Sequence, residues 1–178
     1  MAARRTLAAL AIAVVAVIVI ASVGAFAVLT SGKKGTVQVF VGDSVGIWKH
    51  VNVTFDTVQI HRANATNSSG WTSLSLKNST LDLASLVDIS ALLGEGKVAA
   101  GKYTQLRIEV KSVTGEMTNG TQVTFSVPSG ELKTTKPFNV TAGGTTKISV
   151  DIDLEHSIVD ANGTWKFKPV LGHVTESS

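Results

Sequence analysis

Three features of the chain predict an all-β fold. Apolar and polar residues alternate with period two, short runs are separated by Asn-Gly and Gly-rich turn signals, and no long helical pattern follows residue 34. Many short strands at this spacing imply an antiparallel β-sandwich of the Ig or transthyretin-like kind, preceded by a single N-terminal transmembrane or signal helix. The expected division is residues 1–34 as a signal anchor and residues 35–178 as an extracellular β-sandwich domain.

The N-terminal helix rests on Arg4 and Arg5, an uncharged apolar run from Thr6 to Leu29, and Lys33-Lys34 behind it. Twenty-four residues make a helix of about 36 Å, against about 30 Å of bilayer hydrocarbon. A cleaved signal has an apolar stretch of only about 7–15 residues. An uncleaved anchor is therefore expected, with the N-terminus inside and the C-terminal domain outside. Two alternatives stay open: cleavage at the small-x-small sequence Ala25-Phe26-Ala27, and a pilin-type leader processed near Arg5. With no cysteine in the chain, a lipidated N-terminus is not expected and the domain must rely on its core rather than on disulfides.

Strand patterns follow in order. Val37, Val39 and Val41 share one side of the first, and Val51, Val53 and Phe55 one side of the second. The phase then slips across Asp56-Thr57 to Val58 and Ile60, as at a β-bulge. Lys102–Val113 turns Leu106, Ile108 and Val110 inward and Gln105, Arg107, Glu109 and Lys111 outward. Later runs set inward Val123/Phe125/Val127, Phe138/Val140, Ile148/Val150/Ile152/Leu154 and Trp165/Phe167. Leu81–Leu93 breaks the alternation and is the one place for a short helix or irregular crossover.

The whole chain is +3, but Arg4, Arg5, Lys33 and Lys34 stand in a segment without acids. The remainder carries twelve cations and thirteen acids, about −1. No basic cluster with interleaved aromatics survives, which excludes nucleic acid as an expected partner.

Every asparagine in the chain opens an N-glycosylation sequon: Asn52, Asn64, Asn67, Asn78, Asn119, Asn139 and Asn162. With Ser and Thr at about one position in five, seven of seven by chance has odds on the order of one in 100,000. A chain that meets an oligosaccharyltransferase on its way to the cell surface explains the bias. Asn52 and Asn139 each lie between inward residues and so point outward. Asn64 and Asn67 fall in the polar stretch 62–70, and Asn78 in the loop after Leu76. Asn119 and Asn162 precede glycine and have a rival explanation, since Asn-Gly is the preferred two-residue hairpin turn.

Residues 79–118 and 140–161 carry no sequon. Their outward rows are Gln105/Arg107/Glu109/Lys111 and Lys147/Ser149/Asp151/Asp153/Glu155. Side by side in a sheet, these would set mixed charges against an acidic stripe. Arg107, Glu109, Lys111, Asp151 and Asp153 are accordingly the expected docking surface for a partner or a neighbouring subunit, with ordinary solvated strand surface as the alternative.

Catalytic chemistry is sparse. Asp151, Asp153 and Glu155 on one strand face offer oxygen ligands of the kind Ca²⁺ takes. Alternate strand residues are about 6.5–7 Å apart, and no Gly-containing acidic loop accompanies them, so they are candidates to which no metal is assigned. His50, His61, His156 and His173 are scattered without metal-binding spacing. No nucleophile elbow or phosphate loop occurs, and Gly32-Lys33, Gly96-Lys97 and Gly101-Lys102 lack the context of a nucleotide site. No catalytic residue and no cofactor is expected. Trp48 has two readings, an exposed carbohydrate- or partner-binding ring or a plug at the end of the sandwich, the second being the commoner use of such a residue.

Several stretches in order resemble a domain-of-unknown-function family of exported proteins that is common in bacterial lipoproteins and archaeal surface proteins. They are Val51–His61, Gly70-Trp71, Leu81-Asp82-Leu83, Ala100–Arg107, Val127–Lys133, Asp151-Ile152-Asp153 leading to Ser157-Ile158-Val159, and Lys168-Pro169. The resemblance spans about residues 35–172. It departs at Gly42-Asp43-Ser44-Val45, where the family tends to Thr-Asp-Ala-Pro, and it lacks the lipidated cysteine. It implies an exported β-sandwich and carries over no catalytic residue. Ala100-Gly101-Lys102-Tyr103 is also similar to the turn-into-strand of transthyretin-like sandwiches, which implies that Gly101 makes the turn and Tyr103 packs over the sheet end. The missing cysteine and dense sequons fit an archaeal surface better than a bacterial one.

The expected function is thus a membrane-anchored, glycosylated structural or adhesive surface module without enzymatic activity. A pilin-like filament subunit and a sugar- or calcium-binding module are the alternatives. The partners are the membrane, other surface proteins or copies of the chain itself.

Overall fold

A computed structural model describes residues 33–178 apart from 44–47, 67–68 and 88. The N-terminal helix expected over residues 6–29 lies outside the described residues. Residues from Lys34 onward form one compact unit. It is built from β1 (Lys34–Asp43), β2 (Trp48–Arg62), β3 (Trp71–Leu76), β4 (Thr80–Asp82), β5 (Ser90–Ala99), β6 (Gly101–Met117), β7 (Gln122–Phe125), β8 (Glu131–Thr134), β9 (Phe138–Val140), β10 (Thr145–Ile152), β11 (Ile158–Ala161), β12 (Thr164–Phe167) and β13 (Leu171–Ser177). A single 3₁₀ turn covers Leu83–Ser85, and one helical turn, α1, covers Leu154–Ser157.

The strands follow one path, β13-β10-β1-β5-β3-β2-β6-β7. β4 adds to β2, β8 and β9 add to β6, and β11-β12 form a separate hairpin. β3 is the joint of the sheet. Its first part, Trp71–Leu74, pairs with β2, and its last two residues, Ser75 and Leu76, pair with β5. β6 spends its length on three successive partners: β9 along Gly101–Tyr103, β8 along Leu106–Glu109 and β7 along Val113–Glu116. The sheet then curls until its extremes meet. Thr146 Oγ1 of β10 donates to the Asn139 carbonyl of β9 at 2.9 Å, and Asn139 N donates to Glu176 Oε1 of β13 at 3.2 Å.

The alternation read from sequence is the burial pattern observed. Val37, Val39 and Val41 of β1, Ile148, Val150 and Ile152 of β10, and Val51, Val53, Phe55, Val58 and Ile60 of β2 all fall in one core. Each such side chain contributes about 1.5–3 kcal/mol by leaving water. The phase slip at Asp56-Thr57 is a break in register: Phe55 faces Val110 and Thr57 faces Glu109, which leaves Asp56 without an opposite residue.

One expectation is corrected. The sheet is mixed, because β1 and β10 run parallel from Thr36/Thr145 to Asp43/Ile152. Strands buried on one face alternate in the same way whichever direction the neighbour runs, and parallel pairing needs only a long crossover. All of the chain between β1 and β10 supplies it. The expected strand through Leu154 also stops at Ile152, where Asp153 caps α1, although Leu154 is buried as its place in the pattern required.

Two glycines mark tight places. Gly101 opens β6 at a φ of +139°, which only glycine adopts readily, and two residues later Tyr103 is buried with its hydroxyl donating to the Ala99 carbonyl at 2.9 Å. Burial holds the Tyr103 phenol above its ordinary pKa, with the nearby Arg62 charge opposing. At Gly115 a Cβ would come within 2.8 Å of Phe125 and 3.0 Å of Trp48.

Trp48 is the plug at one end of the core. Its ring lies 5.1 Å from that of Phe125 and 5.2 Å from that of Trp165. Trp48→Ala should cost about 3–5 kcal/mol, read as a lower midpoint in chemical denaturation, because three aromatic rings lose their common contact.

Candidate functional site

All six described sequon asparagines are exposed, whereas their strand neighbours are not. Asn52 in β2 lies between Val51 and Val53, both 0% exposed, and faces Asp82 on one side and Thr114 on the other. Asn139 in β9 lies between buried Phe138 and Val140 and faces Lys102. Asn78 stands between β3 and β4, where its Nδ2 donates to the Leu92 carbonyl at 2.8 Å. Asn67 lies outside the described residues.

Turn geometry sorts the remaining sequons differently from the Asn-Gly rule. Asn162 and Gly163 both take positive φ, 54° and 81°, between paired Ala161 and Thr164. This is the two-residue hairpin that favours Asn-Gly. At Asn119-Gly120 only the glycine has positive φ, and Asn119 instead accepts the Thr121 N–H on Oδ1 at 3.0 Å. The other asparagine in the left-handed region is Asn64, at φ 62°. A backbone reason for asparagine thus exists at Asn64 and Asn162.

The rows of the expected docking surface lie on strands that are not neighbours along the sheet path. Arg107, Glu109 and Lys111 lie on β6 and Asp151 on β10, and β2, β3, β5 and β1 intervene along the sheet. Arg107 is committed locally: its guanidinium sits 4.2 Å over the Trp71 ring and its Nε 3.0 Å from Glu131 Oε2. Glu109 stands opposite Thr57 and Glu131, and Lys111 is exposed at a register break.

Asp151, Asp153 and Glu155 do not share a strand face either. Asp153 follows the last residue of β10 as the cap of α1, where its side chain accepts from His156 N at 3.1 Å, while Glu155 is exposed on α1. The His156 backbone N–H is the main cause that holds the Asp153 carboxyl below its ordinary pKa, against a smaller desolvation effect. Glu116 is lowered as well, first by the hydrogen bond from Lys49 and then by that from Gln122. Among the described residues no three His, Asp or Glu groups gather as a metal site.

Sequence reasoning missed the strands that make the sequon-free side. β5 and β13 were not expected: Gly94, Gly96 and the charges at 95 and 97 hide the alternation of β5. Both glycines have a packing cause. A Cβ on Gly96 would meet Leu74 at 2.9 Å and one on Gly94 the Ser75 carbonyl at 3.3 Å. None of the seven sequon asparagines falls in β1, β5, β10 or β13. On the outer face of these strands Gln38 Nε2 donates to Glu95 Oε2 at 2.8 Å, and Lys77 lies 3.9 Å from the same carboxylate. Lys97 and Lys147 are exposed beside them.

His61 is the buried polar group with least explanation. It is 5% exposed, packs at 4.9 Å against the Trp71 ring, and neither ring nitrogen has a hydrogen-bond partner. Gly70 makes room for it, since a Cβ there would fall 2.5 Å from Nε2.

These features define an all-β domain with a curled sheet, almost no helix, and sequons on exposed asparagines. The chain belongs to the family described as domain of unknown function DUF4382, whose model matches residues 34–169. No functionally curated protein matches the chain. Among solved structures, a leucine-rich repeat protein from Bacteroides thetaiotaomicron is similar over 67% of this chain and 12% of its own, at 15% identity and a TM-score of 0.27. That likeness is too low to support a shared fold.

Two measurements separate turn from sugar and charge from cap. Asn162→Ala should lose about 1 kcal/mol through left-handed strain while Asn162→Gly stays near wild type; Asn119→Ala, which gives up one exposed hydrogen bond, should lose about 0.5 kcal/mol. Unglycosylated protein in chemical denaturation gives all three. Because the Asp153 pKa is lowered in the fold, its stabilisation is present above the ordinary value of 3.8 and disappears as pH falls through the folded value. Asp153→Asn keeps a capping acceptor but should flatten that acid limb of an unfolding titration.

Proposed function

We propose that this chain is a membrane-anchored, N-glycosylated extracellular module with a structural or adhesive role and no enzymatic activity, whose curled sheet is a β-sandwich of the Ig or transthyretin-like kind. The observation that carries the reading is the exposure of every described sequon asparagine. Asn52 and Asn139 matter most. Strand position, not turn geometry, fixes their side chains outward, so neither needs to be asparagine for the fold.

The sandwich is supported by β3, which leaves β2 for β5 and so lets the two parts of the sheet enclose one core. The anchor is supported by the uncharged stretch from Thr6 to Leu29. A non-catalytic role is supported by the local commitments of the charged side chains: Arg107 to Trp71 and Glu131, His50 to Asp82, Lys49 to Glu116. Sugar on the strand faces and loops would keep proteases and chance contacts away from the domain.

Protein isolated from its own cells tests this by intact mass, N-terminal sequencing and glycopeptide mapping. An intact N-terminus before Thr6, with sugar on Asn52 and Asn139, is the expected result. A mature chain that starts near Thr6 would indicate a filament subunit, and one that starts after Ala27 a released module. Unmodified asparagine at both strand positions would remove the basis of the proposal.

A further inference from the structure

Unpaired cations gather at one end of the strands. The chain enters the sheet at Lys34, the first residue of β1. Beside it, Lys97 on β5 pairs with Thr36, and Lys147 on β10 pairs with Gln38. Lys34, Lys97 and Lys147 have the parity of Thr36 and Gln38, opposite to buried Val37 and Val39, so all three stand on the outer face of three adjacent strands. Lys102 and Arg62 extend the same end: Ala63 N donates to the Lys102 carbonyl at 2.9 Å, and Arg62 Nη2 to the Ala100 carbonyl at 3.3 Å.

All five cations are exposed. Among the described residues no carboxylate lies within 4.0 Å of their charged groups. The far ends of the strands carry carboxylates, two of them paired with Lys49 and His50, while Glu176 of β13 lies beside the basic end and accepts from Asn139 N. Asp82 closes β4, Glu116 lies next to last in β6 and Asp151 next to last in β10.

We propose that the basic end formed by Lys34, Lys97 and Lys147, flanked by Lys102 and Arg62, is a docking surface for the anionic headgroups of a lipid bilayer. This rests on the reading of residues 6–29 as an anchor. Three arguments carry it. Four residues separate Leu29 from Lys34, a Cα–Cα span of at most about 18 Å when extended. Whatever the path of that segment, the end that holds Lys34 is kept near the surface, within about two Debye lengths at physiological salt. Next, this end is the one whose sign suits anionic lipid, whereas the carboxylates of the far end would be repelled. Finally, the three lysines belong to strands that carry no sequon, and the sequon nearest this end, Asn139, stands on β9 opposite the flanking Lys102.

The docking is an electrostatic attraction of exposed ammonium groups, which makes it salt-sensitive and additive. Each cation near an anionic surface is worth about fivefold in partitioning, and three together about a hundredfold. It would turn β1, β5 and β10 toward the bilayer, with Asn139 and Asn64 at the rim beside Lys102 and Asn52, Asn119 and Asn162 farther away.

Residues 33–178 contain the whole described core and serve as the test protein. Its sedimentation with phosphatidylcholine vesicles is compared with and without phosphatidylglycerol, at low and high salt. Binding should require phosphatidylglycerol and fade as salt rises. The combined variant Lys34→Gln/Lys97→Gln/Lys147→Gln should bind about a hundredfold less. The variant Lys111→Gln/Lys133→Gln/Lys168→Gln has the same net charge with its changes elsewhere and should retain binding. Equal loss in both variants, or equal binding to both kinds of vesicle, overturns the proposal. So does salt-sensitive self-association of the wild type that the first variant abolishes, because the basic end would then hold the acidic end of a second copy. Failure of the anchor reading shows separately, as an N-terminus processed after Ala27 in the native protein with vesicle binding unchanged.

Discussion

The pairing of β2 with β6 is the constraint on which the other strands depend. The two run antiparallel from Trp48/Met117 to Arg62/Tyr103, and each is far longer than any other pairing in the sheet requires. β6 therefore has backbone left for β7, β8 and β9 in turn on its free edge, while β2 takes β4 and β3 on its own. So long a ladder cannot stay regular: a strand twists with every residue, and a stiff flat pair would not wrap a core. The register breaks at Phe55, Asp56 and Lys111 relieve that mismatch and bend the ladder where the core needs curvature. Without the bend, β9 would not reach β10, and the contact between Asn139 and Thr146 that draws the sheet closed would be lost.

How far the sequence revealed this depended on burial. Where one face is packed and the other wet, as in β1, β2, β6 and β10, alternation is direct evidence and even the slip at Asp56-Thr57 can be read. β5 escaped because glycines at 94 and 96, packed closely against Ser75 and Leu74, erase the apolar signal that packing usually leaves. β13 escaped because it lies at an edge, with only partial burial at Leu171 and Val174. Direction was invisible in principle: Val37, Val39 and Val41 alternate identically beside a parallel or an antiparallel neighbour.

The candidate site was legible in kind but not in arrangement. That asparagines at 52 and 139 face outward follows from strand parity alone. Which outward rows adjoin is a property of strand order, and nothing local in Arg107 or Asp151 says that four strands lie between β6 and β10. The same holds for Asp153. Its role as a cap depends on the chain turning at that residue, and the pattern Ile148/Val150/Ile152/Leu154 runs through the turn without interruption because Leu154 remains buried in it.

The parallel pairing of β1 with β10 also bears on time. Thr36 finds Thr145 on the order of a hundred residues later in the chain, so closing that ladder carries a large loop-closure entropy and belongs to the slow part of folding. For a polypeptide that emerges from a ribosome or a membrane pore N-terminus first, the strand nearest the start keeps one edge open until nearly all of the domain has followed it. Throughout that interval β2, β3, β4 and β5 can already pair with one another, while β1 waits for β10. Strand order by this route sets a waiting period, during which the open edge of β1 is the part of the domain most able to pair with the wrong strand.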